Sequence, residues 1–324
     1  MGLKLPDELD FIRAGRLPQK VSLKRTGNKV VMITGATSGV GYATAMHFAK
    51  MGAKLVLLAR NKEKGASLKK LIESSAAGSC RVYTADLSSL REVATALEQI
   101  RSDLSKIDIL INNAGAFRTR KKLTADHIDS VYTVNHLASF LITINLVPLL
   151  SRSDAPVVLN INSEGHRFSN VCLNDLAWNK RIYTGLRSYG ASKSAQLHCM
   201  YILKKELEKF GIMLNSMHPG AVRSKIDSKS GWLYKMYYKI VVTPFLKDPR
   251  ISADAIYYLT TCDDRKGVNG RFYNLTNEEK PAPHAQESAF SEAVYLHTIK
   301  LLNGFLDRSV LNPEIKFSKY EASK

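Results

Sequence analysis

The fold can be predicted from the stretch Lys29-Val-Val-Met-Ile-Thr-Gly-Ala-Thr-Ser-Gly-Val-Gly-Tyr42. The apolar, β-branched run from Val30 to Ile33 is typical of a parallel strand that is buried on both faces. The glycines after it let the chain turn sharply, let backbone N–H groups approach a pyrophosphate, and let the next helix pack close to the strand. The N-terminus of that helix carries a partial positive charge that favours phosphate. The stretch therefore predicts a nucleotide-binding turn, made of Gly35, Thr37, Ser38, Gly39, Val40 and Gly41; the alternative is a tight strand–helix connection that binds nothing.

Strands and helices alternate along the rest of the chain. We expect strands at about 30–33, 53–59, 81–85, 107–111, 156–161, 212–217 and 271–275, and helices at about 39–51, 61–77, 88–105, 124–150, 184–210, from 251, and 286–303. Ser88 is the expected N-cap of the helix at 88–105. This alternation predicts an α/β fold: a single doubly wound parallel sheet of the Rossmann type, with helices on both faces and a ligand site at the carboxyl ends of the strands.

The domain boundaries follow from the same pattern. No internal repeat or low-complexity linker divides the chain. We therefore expect one dinucleotide-binding and catalytic domain at 29–280, preceded by an N-terminal arm at 1–28 and followed by a C-terminal helix and tail at 281–324.

The composition limits the classes of partner. The 324 residues carry a formal net charge of +18, from 47 basic and 29 acidic residues. Such a charge suits nucleic acid, an anionic membrane surface or a solvated basic surface. The lysines are scattered, and no nucleic-acid-binding motif accompanies them, so we expect no nucleic-acid partner. The four cysteines are far apart and have no histidine at metal-ligand spacing, so we expect reduced thiols and no metal site.

The cofactor type is predicted from the end of the second strand. That strand ends at Ala59-Arg60, and no carboxylate lies between its end and Glu63. An acidic residue at this place binds the ribose 2′-hydroxyl of NAD, whereas an arginine meets the 2′-phosphate of NADP. Arg60 therefore favours NADP(H) over NAD(H); the alternative is an ordinary surface arginine.

A pair of residues on the helix at 184–210 suggests proton-transfer chemistry. Tyr189 and Lys193 are four residues apart and share one face of the helix. A phenol with a pKa near 10 carries protons poorly at neutral pH, and a neighbouring ammonium lowers that pKa toward the working range. A Tyr-x-x-x-Lys pair on its own is also found on ordinary helix surfaces.

Taken in order, these motifs resemble the short-chain dehydrogenase/reductase family, and most of all its retinol-dehydrogenase-like branch. The resemblance covers about Lys29 to Leu275 and includes Asn112-Asn-Ala-Gly115 after the fourth strand and Asn-Ser-Glu-Gly-His166 after the fifth. It implies a catalytic set of Asn135, Ser163, Tyr189 and Lys193. It also implies further cofactor contacts from Asp86, Leu87, Asn113, Ala114, Gly115, Tyr189, Lys193, Pro219, Gly220, Val222 and Ser224, where Ser224 replaces the family's usual threonine.

The resemblance also implies a mechanism, hydride transfer between nicotinamide and a carbonyl or alcohol carbon. Tyr189 exchanges the proton, Lys193 lowers the pKa of that tyrosine and orients the ribose, and Ser163 holds the substrate oxygen. Asn135 holds a water in a relay that reaches the lysine. The neighbouring His166 and His218 are expected to line the pocket and not to take part in the chemistry.

The substrate expectation depends on the segment at about 225–250, where the family places a substrate lid. Its aromatic and aliphatic content suggests an apolar substrate, such as a retinoid, a steroid or a lipid aldehyde or ketone. Lysines among those aromatics leave open a peripheral membrane contact, and a catalytically silent NADP(H)-sensing or scaffold protein is a further alternative. The family also implies a possible homodimer. Without an apolar leader or a membrane-spanning run, we expect a cytoplasmic location, with peripheral membrane association as the alternative.

Overall fold

The computed structural model describes residues 17–75, 79–220 and 248–310. Within them, one sheet has the spatial order β3-β2-β1-β4-β5-β6-β7-β8. Its strands are β1 Val30–Thr34, β2 Lys54–Ala59, β3 Cys80–Thr84, β4 Ile109–Asn112, β5 Val157–Ile161, β6 Met213–His218, β7 Phe272–Asn274 and β8 Asn277–Glu278. Neighbouring strands are parallel except for β7 and β8. The order places the switch point of a doubly wound sheet between β1 and β4, and so confirms the predicted fold class.

Helices cover both faces of this sheet. They are α1 Gly39–Lys50, α2 Lys62–Ser75, α3 Leu90–Asp103, α4 Ser130–Tyr132, α5 Ala138–Asn145, α6 Val147–Leu150, α7 Gly185–Glu208, α8 Pro249–Thr261 and α9 Ala289–Leu302. Successive strand residues point to opposite faces: Ile33 packs with α1, α2 and α8, whereas Met32 packs with the side of α3, α5, α7 and α9. The two apolar layers explain why the strands are apolar runs without alternation.

The predicted continuous helix at about 124–150 is wrong at its start and in its middle. The helix begins at Ser130, because Leu123 and Asp129 form an antiparallel bridge and the Asp129 side chain then caps the first turn by accepting from Val131 N. A π-helical turn, Thr133–Leu137, follows before α5. Single π-helical turns often occur at functional sites.

Two smaller expectations also need correction. Ser89, and not Ser88, caps α3: its side chain accepts from Glu92 N at 3.3 Å, whereas Ser88 Oγ donates to Asp86 Oδ1 at 2.8 Å. The antiparallel strand β8 was not predicted, because two residues after a tight turn are too short for a periodic signal.

The ends of the chain are described in part. Gln19 ties the arm to the loop after β7, since Thr276 N donates to its Oε1 at 3.1 Å. Residues 1–16, most of the predicted lid at about 225–250, and residues 311–324 lie outside the described residues. None of the helices in the described part is long and apolar enough to cross a membrane.

The packing of α1 on α8 generates a stability prediction. Phe48 is fully buried and packs on the Tyr257 ring at a centroid distance of 4.8 Å. We expect Phe48→Ala to lower the free energy of unfolding by about 3–5 kcal/mol, because the truncation loses transfer free energy and leaves a cavity. Urea denaturation measures this change. The control Leu71→Ala, whose side chain is 40% exposed on α2, should change stability by less than about 1 kcal/mol; equal effects would contradict the assignment of Phe48 to the core.

Candidate active site

The glycine turn after β1 is held against the end of β4. Gly35 and Gly39 have positive φ angles of 67° and 56°, which glycine adopts without strain. A Cβ atom on Gly35 would lie 2.8 Å from the Cα atom of Ala114, and one on Gly41 would lie 2.4 Å from the Nδ2 atom of Asn113. Side chains are therefore excluded at both positions, and the turn keeps bare backbone at its surface.

Hydrogen bonds join the same two turns. Asn113 Nδ2 donates to the carbonyl of Thr34 at 2.9 Å, and Ala114 N donates to Thr34 Oγ1 at 3.0 Å. Ser38 precedes α1 in an extended conformation and its side chain makes no capping hydrogen bond. Open backbone at a helix N-terminus with hydroxyls beside it suits a phosphate, so the predicted Thr37-to-Gly41 cradle fits a dinucleotide.

The predicted adenosine-side residues follow β2 and β3. Arg60 is exposed directly after β2. Asp86 lies just beyond β3, and its Oδ1 accepts from the backbone N and the hydroxyl of Ser88 at 2.9 and 2.8 Å. Leu87 is 9% exposed and joins the apolar core. These residues occupy the carboxyl ends of neighbouring strands, the edge where the β1 turn also lies.

The predicted proton-transfer residues converge at the end of β5. Ser163 follows this strand, and Tyr189 and Lys193 lie on α7. A Cβ atom placed on Gly165 would be 2.6 Å from the Tyr189 ring and 3.3 Å from Ser163 Oγ, so the phenol and the hydroxyl are close neighbours. Lys193 is 2% exposed, and its Nζ donates to the Ile161 carbonyl at 2.7 Å.

Burial dominates the electrostatics of this pair. It lowers the pKa of Lys193 to about 7, because desolvation disfavours the charged amine. Burial also raises the pKa of Tyr189, and a hydrogen bond with the Ser163 side chain opposes that shift. Lys193 Nζ lies 5.9 Å from the centroid of the Tyr189 ring. The expected effect of the lysine on the phenol stays a prediction.

Asn135 is buried within the π-helical turn. Its Oδ1 accepts from Ala116 N at 2.6 Å, and its Nδ2 donates to the Ala116 carbonyl at 3.0 Å and to Ser192 Oγ at 2.9 Å. The side chain thus links the segment after β4 to α7, one residue before Lys193. Gly115 is in the same place, since a Cβ atom there would be 3.6 Å from Asn135 Oδ1.

The end of β6 supplies the last predicted cofactor residues. Pro219 is anchored by its carbonyl, which accepts from Ser252 Oγ at 2.5 Å. Gly220 has a φ of 79° and ends this described stretch. Val222 and Ser224 lie outside the described residues.

The structure places both neighbouring histidines near the end of the central strands, and the expectation that they only line the pocket stays a prediction. His166 is fully buried: Ala282 N donates to its Nε2 at 2.9 Å, and its Nδ1 therefore donates to the Ser163 carbonyl at 2.7 Å. Burial lowers the pKa of His166 to about 3, which keeps the ring neutral. His218 ends β6 and is half-buried.

Sequence reasoning missed a buried charged cluster beside Ser163. Arg167 pairs with Glu164 through Nε and with Glu279 through a terminal nitrogen, and so joins the turn after β5 to the segment after β8. It also missed Phe117, whose ring packs edge-on against Tyr189 at 5.8 Å. Arg167 and Glu279 are over a hundred residues apart in the chain, and no local pattern predicts their ion pair.

Comparisons with known proteins identify the family of this chain. A model of the family described as short chain dehydrogenase matches residues 29–231. Retinol dehydrogenase 13 of Homo sapiens is 27% identical over 90% of this chain and 89% of its own length, and retinol dehydrogenase 14 of Homo sapiens is 29% identical over 86% and 89%. The chain belongs to the short-chain dehydrogenase family. It is an oxidoreductase that acts on CH–OH groups.

Solved structures share the fold. An uncharacterised protein from Mycobacterium paratuberculosis has a TM-score of 0.70 at 24% identity and covers 88% of this chain and 98% of its own. A blue fluorescent protein from a metagenomic library, solved in complex with NADPH, has a TM-score of 0.61 at 26% identity, over 78% and 97% of the two chains.

The charged cluster generates a pH prediction. Burial, followed by the nearby Glu279 carboxylate, raises the pKa of Glu164. The folded state therefore binds a proton that the unfolded state has released, and stability is lost as pH rises from about 4.3 into the neutral range. We expect Glu164→Gln to gain stability relative to the wild type as pH increases from 5 to 8, by on the order of 1–2 kcal/mol. Urea unfolding at both pH values measures the difference, and Glu73→Gln on exposed α2 is the control; a pH-independent difference would contradict the shift.

Proposed function

We propose that this protein is an NADP(H)-dependent oxidoreductase that interconverts a carbonyl and an alcohol on an apolar substrate. The observation that carries the proposal is the meeting of Ser163, Tyr189 and buried Lys193 at the end of β5. The phosphate-binding turn after β1 lies on the same edge of the sheet. A proton-transfer group beside a dinucleotide cradle suits hydride chemistry.

A bound nicotinamide dinucleotide would supply or accept the hydride. Ser163 Oγ would hold the substrate oxygen and stabilise charge that develops on it. Tyr189 would transfer the proton to or from that oxygen. Lys193, which burial brings to a pKa of about 7, can exchange a proton near neutral pH and so return the phenol to its starting state. Asn135 would hold the segment after β4 against α7 through its contacts with Ala116 and Ser192.

Arg60 supports the preference for NADP(H). It is an exposed cation directly after β2. The carboxylate of Asp86, which follows the next strand, already accepts hydrogen bonds from Ser88. A guanidinium can fork onto a ribose 2′-phosphate. The blue fluorescent protein with this fold was solved with NADPH, which agrees with this choice.

Aromatic and aliphatic side chains support an apolar substrate. Phe117 packs edge-on against Tyr189. Leu186 lies one turn before the catalytic Tyr189 on α7 and is 49% exposed, and Phe168, at the end of the turn that begins after Ser163, is 62% exposed. Two relatives are named retinol dehydrogenases. A retinoid, steroid or lipid aldehyde or ketone suits these apolar neighbours of Tyr189 and Ser163.

The structure limits the face that a homodimer could use. Helix α9 packs on α7, where Ser291 Oγ is hydrogen-bonded to His198 Nδ1 at 2.9 Å. It also packs on α5 and the π-helical turn, where Tyr295 meets Phe140 and Thr298 Oγ1 is hydrogen-bonded to His136 Nε2 at 2.8 Å. A homodimer would therefore use a face other than the one that α9 covers. A cytoplasmic location and a peripheral membrane contact stay predictions.

Replacing the proposed acid–base tests the function. We expect Tyr189→Phe to reduce kcat by a factor of about 10²–10⁴, with NADPH binding unchanged, because only the hydroxyl is removed. NADPH oxidation with all-trans-retinal, long-chain aldehydes, a steroid ketone and a quinone measures turnover, and NADPH fluorescence measures binding.

The matched control is Tyr201→Phe, which removes a hydroxyl three turns further along α7 and should leave kcat within about twofold of the wild type. Normal turnover in Tyr189→Phe would reject the catalytic proposal. NADPH binding without turnover of any substrate in the wild type would favour the sensing alternative.

Replacing Arg60 tests the cofactor choice. We expect Arg60→Ala to weaken NADPH binding by about tenfold or more, because a charge-assisted hydrogen bond is lost, while NADH binding changes little. Isothermal titration with each dinucleotide measures both constants. Arg152→Ala removes an exposed arginine beyond α6 and should affect neither. Tighter binding of NADH than of NADPH by the wild type would contradict the proposed role of Arg60.

A further inference from the structure

Two buried amide side chains connect the elements that carry the proposed catalytic residues. The first is Asn162, the residue before Ser163, which is 2% exposed. Its Oδ1 accepts from Ser163 N at 2.8 Å. Its Nδ2 donates to the Lys193 carbonyl at 3.0 Å and to Gln196 Oε1 at 2.9 Å. Asn162 therefore fixes the backbone of the serine to the backbone of the lysine.

The second amide is Gln196, which is 4% exposed and lies one turn beyond the lysine on α7. Its Oε1 accepts from Asn162. Its Nε2 donates to the Asn135 carbonyl at 3.1 Å and to Ser139 Oγ at 3.2 Å. Gln196 therefore carries the connection from the serine side to the π-helical turn.

These hydrogen bonds require side chains that donate at one atom and accept at another, as amides do. A glutamine or asparagine offers an acceptor and a two-proton donor about 2 Å apart, and here each end has a partner. The acceptor of Asn162 faces a backbone N–H, and the donor of Gln196 faces a backbone carbonyl. Buried polar networks in which every member is satisfied hold their parts in one arrangement.

We propose that Gln196 and Asn162 are positioning residues for the reaction. They hold the Ser163 turn, the Lys193 turn of α7 and the Asn135 π-helical turn in one register without touching the reacting atoms. The proposal rests on the proposed function, because it takes Ser163, Lys193 and Asn135 as the site. Displacement of a catalytic group by about 1 Å can reduce a rate by about 10²-fold.

A purely structural role makes a different prediction. Any buried amide with satisfied hydrogen bonds stabilises the fold, and its loss destabilises the protein without altering the chemical step. Asn145 provides the comparison: it is 6% exposed, lies at the far end of α5 from Asn135, donates to the Phe305 carbonyl at 2.8 Å and accepts from Asp307 N at 2.7 Å.

The experiment compares Gln196→Met, Asn162→Leu and Asn145→Leu in the full chain. We expect the first two to lower kcat by about 10–100-fold, with KM for the aldehyde and the dissociation constant for NADPH within about twofold of the wild type. Asn145→Leu should lose as much thermal stability and keep its kcat. Hydrogen–deuterium exchange of the protein alone should speed up in peptides that contain 133–139 and 160–166 in the first two variants only.

Gln196→Glu adds a pH readout. A carboxylate keeps the acceptor for Asn162 but has no proton to donate to the Asn135 carbonyl, whereas a protonated carboxyl restores one donor. We expect the ratio of its kcat to that of the wild type to rise as pH falls from 8 to 6, because burial favours the protonated acid. A structural role predicts a constant ratio.

The outcomes are distinguishable from those of the proposed function. If Tyr189→Phe is active, the proposed function itself fails. If Tyr189→Phe is inactive while Gln196→Met and Asn162→Leu keep wild-type kcat, the positioning proposal alone is overturned. The same holds if their loss of kcat is no larger than that of Asn145→Leu. A loss of kcat without a change in KM, absent from Asn145→Leu, supports it.

Discussion

The rest of the site depends on the close contact between the turn after β1 and the turn after β4. Gly35 and Gly41 leave no room for a Cβ atom against Ala114 and Asn113. Because β1 and β4 flank the switch point of the sheet, this contact lies at the crevice in which such folds bind their ligands. The proposed phosphate cradle and the residues after β4 are therefore held against each other.

The part of the site around Ser163 and Tyr189 contains buried titratable groups. Three titratable groups lie within a few residues of Ser163 or Tyr189. Burial lowers the pKa of Lys193 and of His166 and raises that of Glu164, because it disfavours the charged form of each. Backbone groups at Ile161 and Ala282 and the Arg167 guanidinium supply their partners. Partners fixed by the fold hold these groups in place without a ligand, which is the preorganisation that electrostatic catalysis depends on.

The succession of strands along the chain, the helices on both faces and the presence of Tyr189 and Lys193 on one helix were predictable, because each depends on a local period or spacing. Ile33 and Met32 lie in an apolar run, and Tyr189 and Lys193 are one helical turn apart. The start of the helix before Asn135 was mispredicted. Its π-helical turn sits where the Asn135 side chain bonds to the backbone of Ala116, nineteen residues earlier, and such a contact leaves no trace in the local sequence.

The sequence by itself determined the α/β fold, the glycine turn and the identity of the residues that meet at the carboxyl ends of the strands, because periodicity, glycine spacing and chain order are properties of neighbouring residues. Only the tertiary structure decided which buried groups hold those residues in place. Asn162 and Gln196 reach Ser163, Lys193 and Asn135 through hydrogen bonds between separate elements. Long-range partners of this kind are selected by the packing of the sheet and its helices, and not by distance along the chain.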